Sequence, residues 1–342
     1  MVQILSEQEF QQQVVSIYTD VVGEKVGGEV LSFSDEWFAE ATNLIKPNPP
    51  IFDATKFVFA GKWYDGWETR RHNTEEADWV IFKLGVSSAK LIGAEIDTAF
   101  FNGNHAPDIS VEAVKITGDD DDTDLSNAKW ESIIDKVECG PSQRHFFKRN
   151  SITDGTYSHV RLRMYPDGGI ARFRLYGEVV PDSAAINANT LIDFASVQYG
   201  GVGVDVSDQH FGTASNLLLP GRGVDMSDGW ETSRSRTPGH VDWAIIKLGS
   251  TIKIHEIIVD TAHFRGNFPQ KIALHGLKTS EKVPKHDDKA WTELLSPTKT
   301  FADKEHSFKS ELANLEGEYS HVKLTIIPDG GVKRVRVIGT LA

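Results

Sequence analysis

Two short blocks hold the residue types that acid–base chemistry on a small polar molecule needs. The first is Asp65-Gly66-Trp67-Glu68-Thr69 with Arg71, followed downstream by Asp97-Thr98-Ala99 and Asn102-Gly103-Asn104. The second is Asp228-Gly229-Trp230-Glu231-Thr232 with Arg234, followed by Asp260-Thr261-Ala262, His263, Arg265 and Asn267. A carboxyl or an imidazole can deliver and recover a proton at a breaking bond, so Glu68, Glu231 and His263 are the candidate catalytic groups. A guanidinium fork can take both oxygens of a carboxylate, which makes Arg71, Arg234 and Arg265 candidate anchors. Asn102, Asn104 and Asn267 both donate and accept hydrogen bonds, and Asp65, Asp97, Asp228 and Asp260 complete the candidate substrate-binding set.

Structural roles compete for the same residues. An Asp-Gly turn beside a buried indole can simply organise a rim. A glutamate next to arginine is also an ordinary ion pair, and Asp97 and Asp260 can cap turns through Asx hydrogen bonds. A lone histidine such as His263 is more often structural than catalytic, and the repeated Tyr-Ser-His context of His159 and His321 can merely end a strand.

The blocks recur because nearly the whole chain does. Lys83-Leu84-Gly85 returns as Lys247-Leu248-Gly249, Tyr157-Ser158-His159 as Tyr319-Ser320-His321, and Pro166-Asp167-Gly168-Gly169 as Pro328-Asp329-Gly330-Gly331. The offset is 163 at Asp65 and 162 at Pro166, but 173 at Ser34, so the first repeat carries ten extra residues between Leu44 and Asp65. Solenoid units repeat every 20–50 residues or so, and a period this long therefore means two complete domains. The repeats differ where chemistry is expected: Phe100 corresponds to His263, and Asn102 to Arg265. If only one repeat retains full chemistry, the second has the richer set; a site composed of loops from both is the third reading.

The elements that must position these residues read as strands. Val160 to Met164 and Arg172 to Leu175 alternate apolar and charged positions, the pattern of a strand with one face buried. Pro166 to Gly169 between them has turn composition, which predicts two antiparallel strands joined there. Val80-Ile81-Phe82, Val111 to Ile116 and Ile254 to Val259 are further β-branched runs. Helical patterning is confined to Glu7–Ile17 and Glu36–Asn43. The fold class expected is all-β: two tandem jelly-roll β-sandwich domains related by internal duplication, residues 1–180 and 190–342, joined by a linker over 181–189.

Composition narrows the partners. The chain has 342 residues, 39% of them hydrophobic, and a formal charge of −13. There is no basic excess to release phosphate counterions, which argues against nucleic acid. The stretch from Met1 to Tyr18 lacks an apolar h-region, and no run approaches the roughly 18 apolar residues of a membrane span. The single cysteine, Cys139, cannot form an internal disulfide. A cytoplasmic protein is the expectation. Asp119 to Asp122 with Asp124 lacks the glycine and terminal glutamate of an EF-hand loop and reads as a solvated acidic loop. No motif names a cofactor; a divalent metal held by His, Asp and Glu distant in sequence stays open. Open sheet edges and faces in duplicated sandwiches suggest a homo-oligomer.

Each half resembles the discoidin or galactose-binding-like jelly roll, on Asn43-Leu44, Asp65-Gly66, Trp79 to Gly85 and Ile92 to Ile96 and on the equivalent set in the second half. The paired DGWETxR, DWxxxKLG and DTAxFxGN blocks are more specific, and over the whole chain they resemble the allantoicase family. That resemblance implies hydrolysis of allantoate to ureidoglycolate and urea, a step of purine catabolism. The rival reading, from the fold alone, is a noncatalytic tandem binding module that takes a carbohydrate or another ligand on its rim loops.

Overall fold

In the computed structural model the chain divides into two units, residues 1–180 and 181–342. Residues 2–116, 125, 128–181, 186 and 189–342 are described. The acidic run at Asp119–Asp122 and Asp124, and most of the expected linker, lie outside them.

The first unit is a sandwich of two antiparallel five-stranded sheets. One has the order Val2–Ile4, Arg144–Arg149, Ala89–Asp97, Arg172–Val179, Thr19–Asp20; the other Glu131–Glu138, Asp108–Val114, His159–Tyr165, Asp78–Lys83, Glu29–Phe33. The period-two pattern acts as expected. Val160, Leu162 and Met164 are fully buried, and Arg161 pairs on the other face with Glu112, its directly opposite neighbour, at 2.6 Å. Phe82 and Phe173 close the core from opposite sheets, ring centroids 5.4 Å apart.

The expected hairpin at Pro166 to Gly169 is corrected by the sheet order. His159–Tyr165 and Arg172–Val179 belong to different sheets, so this segment is a crossover from one layer to the other. Alternation reports which side chains are buried, and both layers bury theirs in the same core. The segment carries a cis peptide before Pro166, as its counterpart does before Pro328. The first helical expectation holds for Glu7–Phe10, capped by Ser6 and continued as a π turn over Gln11–Val15, which buries Phe10 and Val14. Around Glu36–Asn43 only a 3₁₀ turn forms, at Ala41–Ile45, because the Glu36 carboxylate accepts from the Ala41 N–H and the Asn43 amide is committed to the Gly66 carbonyl.

The second unit repeats the plan of the sheets, without a counterpart of Val2–Ile4 or of the Glu7–Phe10 helix among its described elements, and it differs in one strand. From Lys247 to Asp260 the chain is one residue shorter than from Lys83 to Asp97, and Asp242–Asp260 runs as a single 19-residue strand. Its first part pairs with Val202–Val206 and Tyr319–Ile327, its last with Arg334–Leu341 and Glu305–Phe308. The two layers are thus one continuous ladder in this unit.

Candidate active site

The Asp-Gly-Trp block is the floor of a loop cluster at one end of each sandwich. Trp67–Glu68 pairs with Gly169–Ile170, and Trp230–Glu231 with Gly331–Val332. Both indoles are fully buried, each N–H bonded to a backbone carbonyl, of Asp35 and of Asp208, at 2.9 Å. Gly169 and Gly331 are required by close approach, since an added Cβ would lie 2.2 Å and 2.0 Å from the rings of Phe101 and Phe264. Thr69 and Gly168 exchange hydrogen bonds, as do Thr232 and Gly330.

Above that floor the same Glu–Asn pair forms in both repeats, with an arginine held on the adjoining loop. The Asn104 amide donates to Glu68 Oε1 at 2.6 Å, and Asn267 donates to Glu231 Oε1 at 2.5 Å. Arg71 is held by Asp167 at 3.0 Å and by the Gly103 carbonyl at 2.7 Å. Among the described residues Arg234 reaches only the Gly266 carbonyl, at 3.4 Å, while Asp329 accepts from the Ser235 N–H. Glu68 is 7% exposed, and its Oε2 is buried without a hydrogen-bond partner among the described residues. Burial pushes its carboxyl above the ordinary carboxylate range, against the opposing pull of Asn104 and Arg71. Glu231 is half-buried.

The four aspartates of the sequence-based set hold the frame. Asp65 forms a buried ion pair with Arg172 at 2.8 Å and also accepts from the Ile51 N–H. Asp228 takes Arg334 at 2.6 Å together with the fully buried Lys333. Asp97 and Asp260 accept from the N–H two residues on, at Ala99 and Ala262, so both make the Asx turn. Asp260 adds a two-pronged bond from Arg222, whereas burial raises the Asp97 carboxyl. Phe100 and His263 both adopt positive φ. The His263 N–H donates to Asp303, which also pairs with the exposed Arg265 at 3.3 Å. Asn102 is exposed, its carbonyl accepting from His105 Nδ1.

His159 opens its strand and His321 is the third residue of its own, Tyr319–Ile327; the far ends of both lead into these loops, about 20 Å away at ~3.3 Å per residue. Both therefore belong to the opposite end of the sandwich. Among the described residues no three His, Cys, Asp or Glu side chains converge as metal ligands would. Sequence reasoning missed Asp167, Arg172, Arg334, Arg222 and Lys333. Asp167 stood in the repeated Pro-Asp-Gly-Gly block, Arg172 recurs as Arg334, and Lys333 is the charged residue that aligns with Ala171; repetition marked the first three without saying what they hold.

Comparison with known proteins agrees with the internal duplication. The family model for the allantoicase repeat matches twice, over residues 19–180 and 192–342. The allantoicase of Saccharomyces cerevisiae is 56% identical over 341 residues, 98% of each chain. That of Neurospora crassa is 54% identical over 326 residues, 94% of this chain and 91% of its own. A crystal structure of the Saccharomyces cerevisiae allantoicase superimposes with a TM-score of 0.88 at 54% identity, covering 99% of this chain and 100% of that one. With both repeats matched and full-length relatives above half identity, the chain belongs to the allantoicase family.

Proposed function

We propose that this chain hydrolyses allantoate to ureidoglycolate and urea. The observation that carries the reading is the double match to the allantoicase repeat, supported by full-length relatives. The chemistry follows from the products. Urea leaves with its carbonyl intact, so the bond that breaks joins a ureido nitrogen to the central carbon. A carboxyl protonates that nitrogen as the bond breaks, and the remaining ureido nitrogen shares its lone pair with the central carbon. Water then adds to that carbon, and the carboxylate recovers its proton.

The Glu–Asn–Arg clusters supply matching parts. With Oε1 of Glu68 accepting from Asn104, the acidic proton is left to Oε2. Arg71, pinned by Asp167 and the Gly103 carbonyl, offers its remaining N–H groups to the substrate carboxylate. The aspartates beneath serve to position the loops. Purified protein given allantoate, with and without added divalent metal, should release urea; binding without release would favour the noncatalytic binding module instead. We place the protein in the cytosol, on the strength of its one cysteine, Cys139, which is buried with its thiol pushed up to about 12. Homo-oligomerisation is supported by outer strands such as Glu131–Glu138 and Thr292–Lys299, and light scattering on the purified protein tests it.

A further inference from the structure

The two sites share a frame but differ in what surrounds the glutamate. Twenty residues separate Leu44 from Asp65, and ten separate Leu217 from Asp228. The longer connection sets aromatic side chains on the first rim. Tyr64 stacks on Phe101, the ring beneath Gly169, at 5.0 Å. Trp37, whose backbone N–H donates to the Glu68 backbone carbonyl, packs edge-on against Phe59 at 5.3 Å. Phe52 lies against Phe100 at 5.6 Å. In the second repeat His210, Ser227 and His263 stand at the places of Trp37, Tyr64 and Phe100. There His263 lies 3.4 Å from the Gly223 carbonyl, close to where Phe52 meets Phe100 in the first. At these three places, then, the first repeat has aromatic rings where the second has imidazole or hydroxyl side chains, although the second connection keeps Val224 and Met226 exposed.

This difference bears on proton delivery. An apolar rim removes water from a carboxyl and favours its neutral form, the form that can donate. The charged groups on the segments packed around Glu68 are Arg70 and Arg71 beside it, Asp35 paired with Arg70, Glu36 and Glu40 on either side of the Trp37–Ala39 stretch that bonds to it, Asp167 behind Arg71, and His105 next to Asn104. Of these, Arg71 acts on the carboxyl and opposes the effect of burial.

We propose that turnover resides in the first repeat: Glu68 protonates the departing urea nitrogen, the aromatic connection over residues 45–64 keeps its carboxyl dry, and the second repeat retains the frame without that acid. The inference rests on the allantoate reading above. The test is steady-state urea release by the full chain. Glu68→Gln should cut kcat by about a hundredfold or more, and Glu231→Gln by a factor at least ten times smaller. Trp37→His with Tyr64→Ser, which imports the second rim, should move the alkaline limb of the pH–rate profile to lower pH, because a more solvated acid gives up its proton earlier. Tyr64→Phe alone keeps the ring and should leave the limb in place, which separates solvation from misfolding. Equal losses from Glu68→Gln and Glu231→Gln, or an unmoved limb in the folded double variant, would overturn the inference. No urea from the unaltered chain would instead remove the allantoate reading.

Discussion

Asn104 places one hydrogen bond on Glu68, and that bond stabilises the charged form of the carboxyl. Its removal in Asn104→Leu should therefore shift the alkaline limb of the pH–rate profile to higher pH, while kcat falls because the acid loses its orientation; a limb that moves down would contradict the assignment. Arg71 faces the opposite test. Loss of a charge-assisted anchor costs about 1.5–3 kcal/mol, so Arg71→Ala should raise KM by roughly ten- to a hundredfold with a smaller effect on kcat. Replacing Glu68 by Gln removes a buried group that resists ionisation, and the variant should melt higher at neutral pH, by about 2–4 °C for a gain of ~1 kcal/mol. The repeated blocks made Glu68, Arg71 and Asn104 legible, since each appears twice at fixed spacing. Asp167, which holds Arg71, and Arg172, which holds Asp65, lie 96 and 107 residues from their partners. Pairings of that length come from the way strands are ordered, and no local pattern encodes them.

At the scale of elements, the crossover from Pro166 to Gly169 does two jobs, since it passes the chain between layers and supplies the edge that pairs with Trp67–Glu68. Gly168 has φ +145°, and an added Cβ would lie 2.7 Å from the His105 carbonyl oxygen, a backbone atom that cannot swing away. Gly168→Ala should cost about 2 kcal/mol or more and lower activity with it, because His105 and Asn104 are neighbours; denaturant melts of the purified variant would measure this, and an unchanged midpoint would show the turn to be more adaptable than its contacts imply. Strand positions were readable because alternation directly reports a buried face, as at Val160, Leu162 and Met164. Layer membership was not, because a hairpin and a crossover present the same alternation and the same turn residues. The ten-residue difference before Asp65 is legible as a number, whereas the stacking of its Tyr64 on Phe101 is a tertiary contact that no local pattern encodes.

For the chain as a whole, duplication means that each unit closes its own core and answers pH through its own histidines. In the second unit His275, His306 and His321 all have depressed proton affinity, chiefly from burial, with His321 lowered to about 4 and only 1% exposed. A histidine held neutral by the fold binds its proton more readily once unfolded. Its contribution is therefore complete above the unfolded value near 6.5 and is lost as pH falls toward 4. For His321 alone the loss amounts to about 3 kcal/mol across that window. The first unit buries His145 and His159 in the same sense, but neither as deeply as His321. Calorimetry between pH 7 and 4.5 should accordingly show the transition of the second unit falling faster than that of the first, and His321→Asn should flatten its dependence. Parallel descent of both transitions, or a variant as acid-sensitive as the parent, would mean that carboxylates and not this buried imidazole govern acid unfolding.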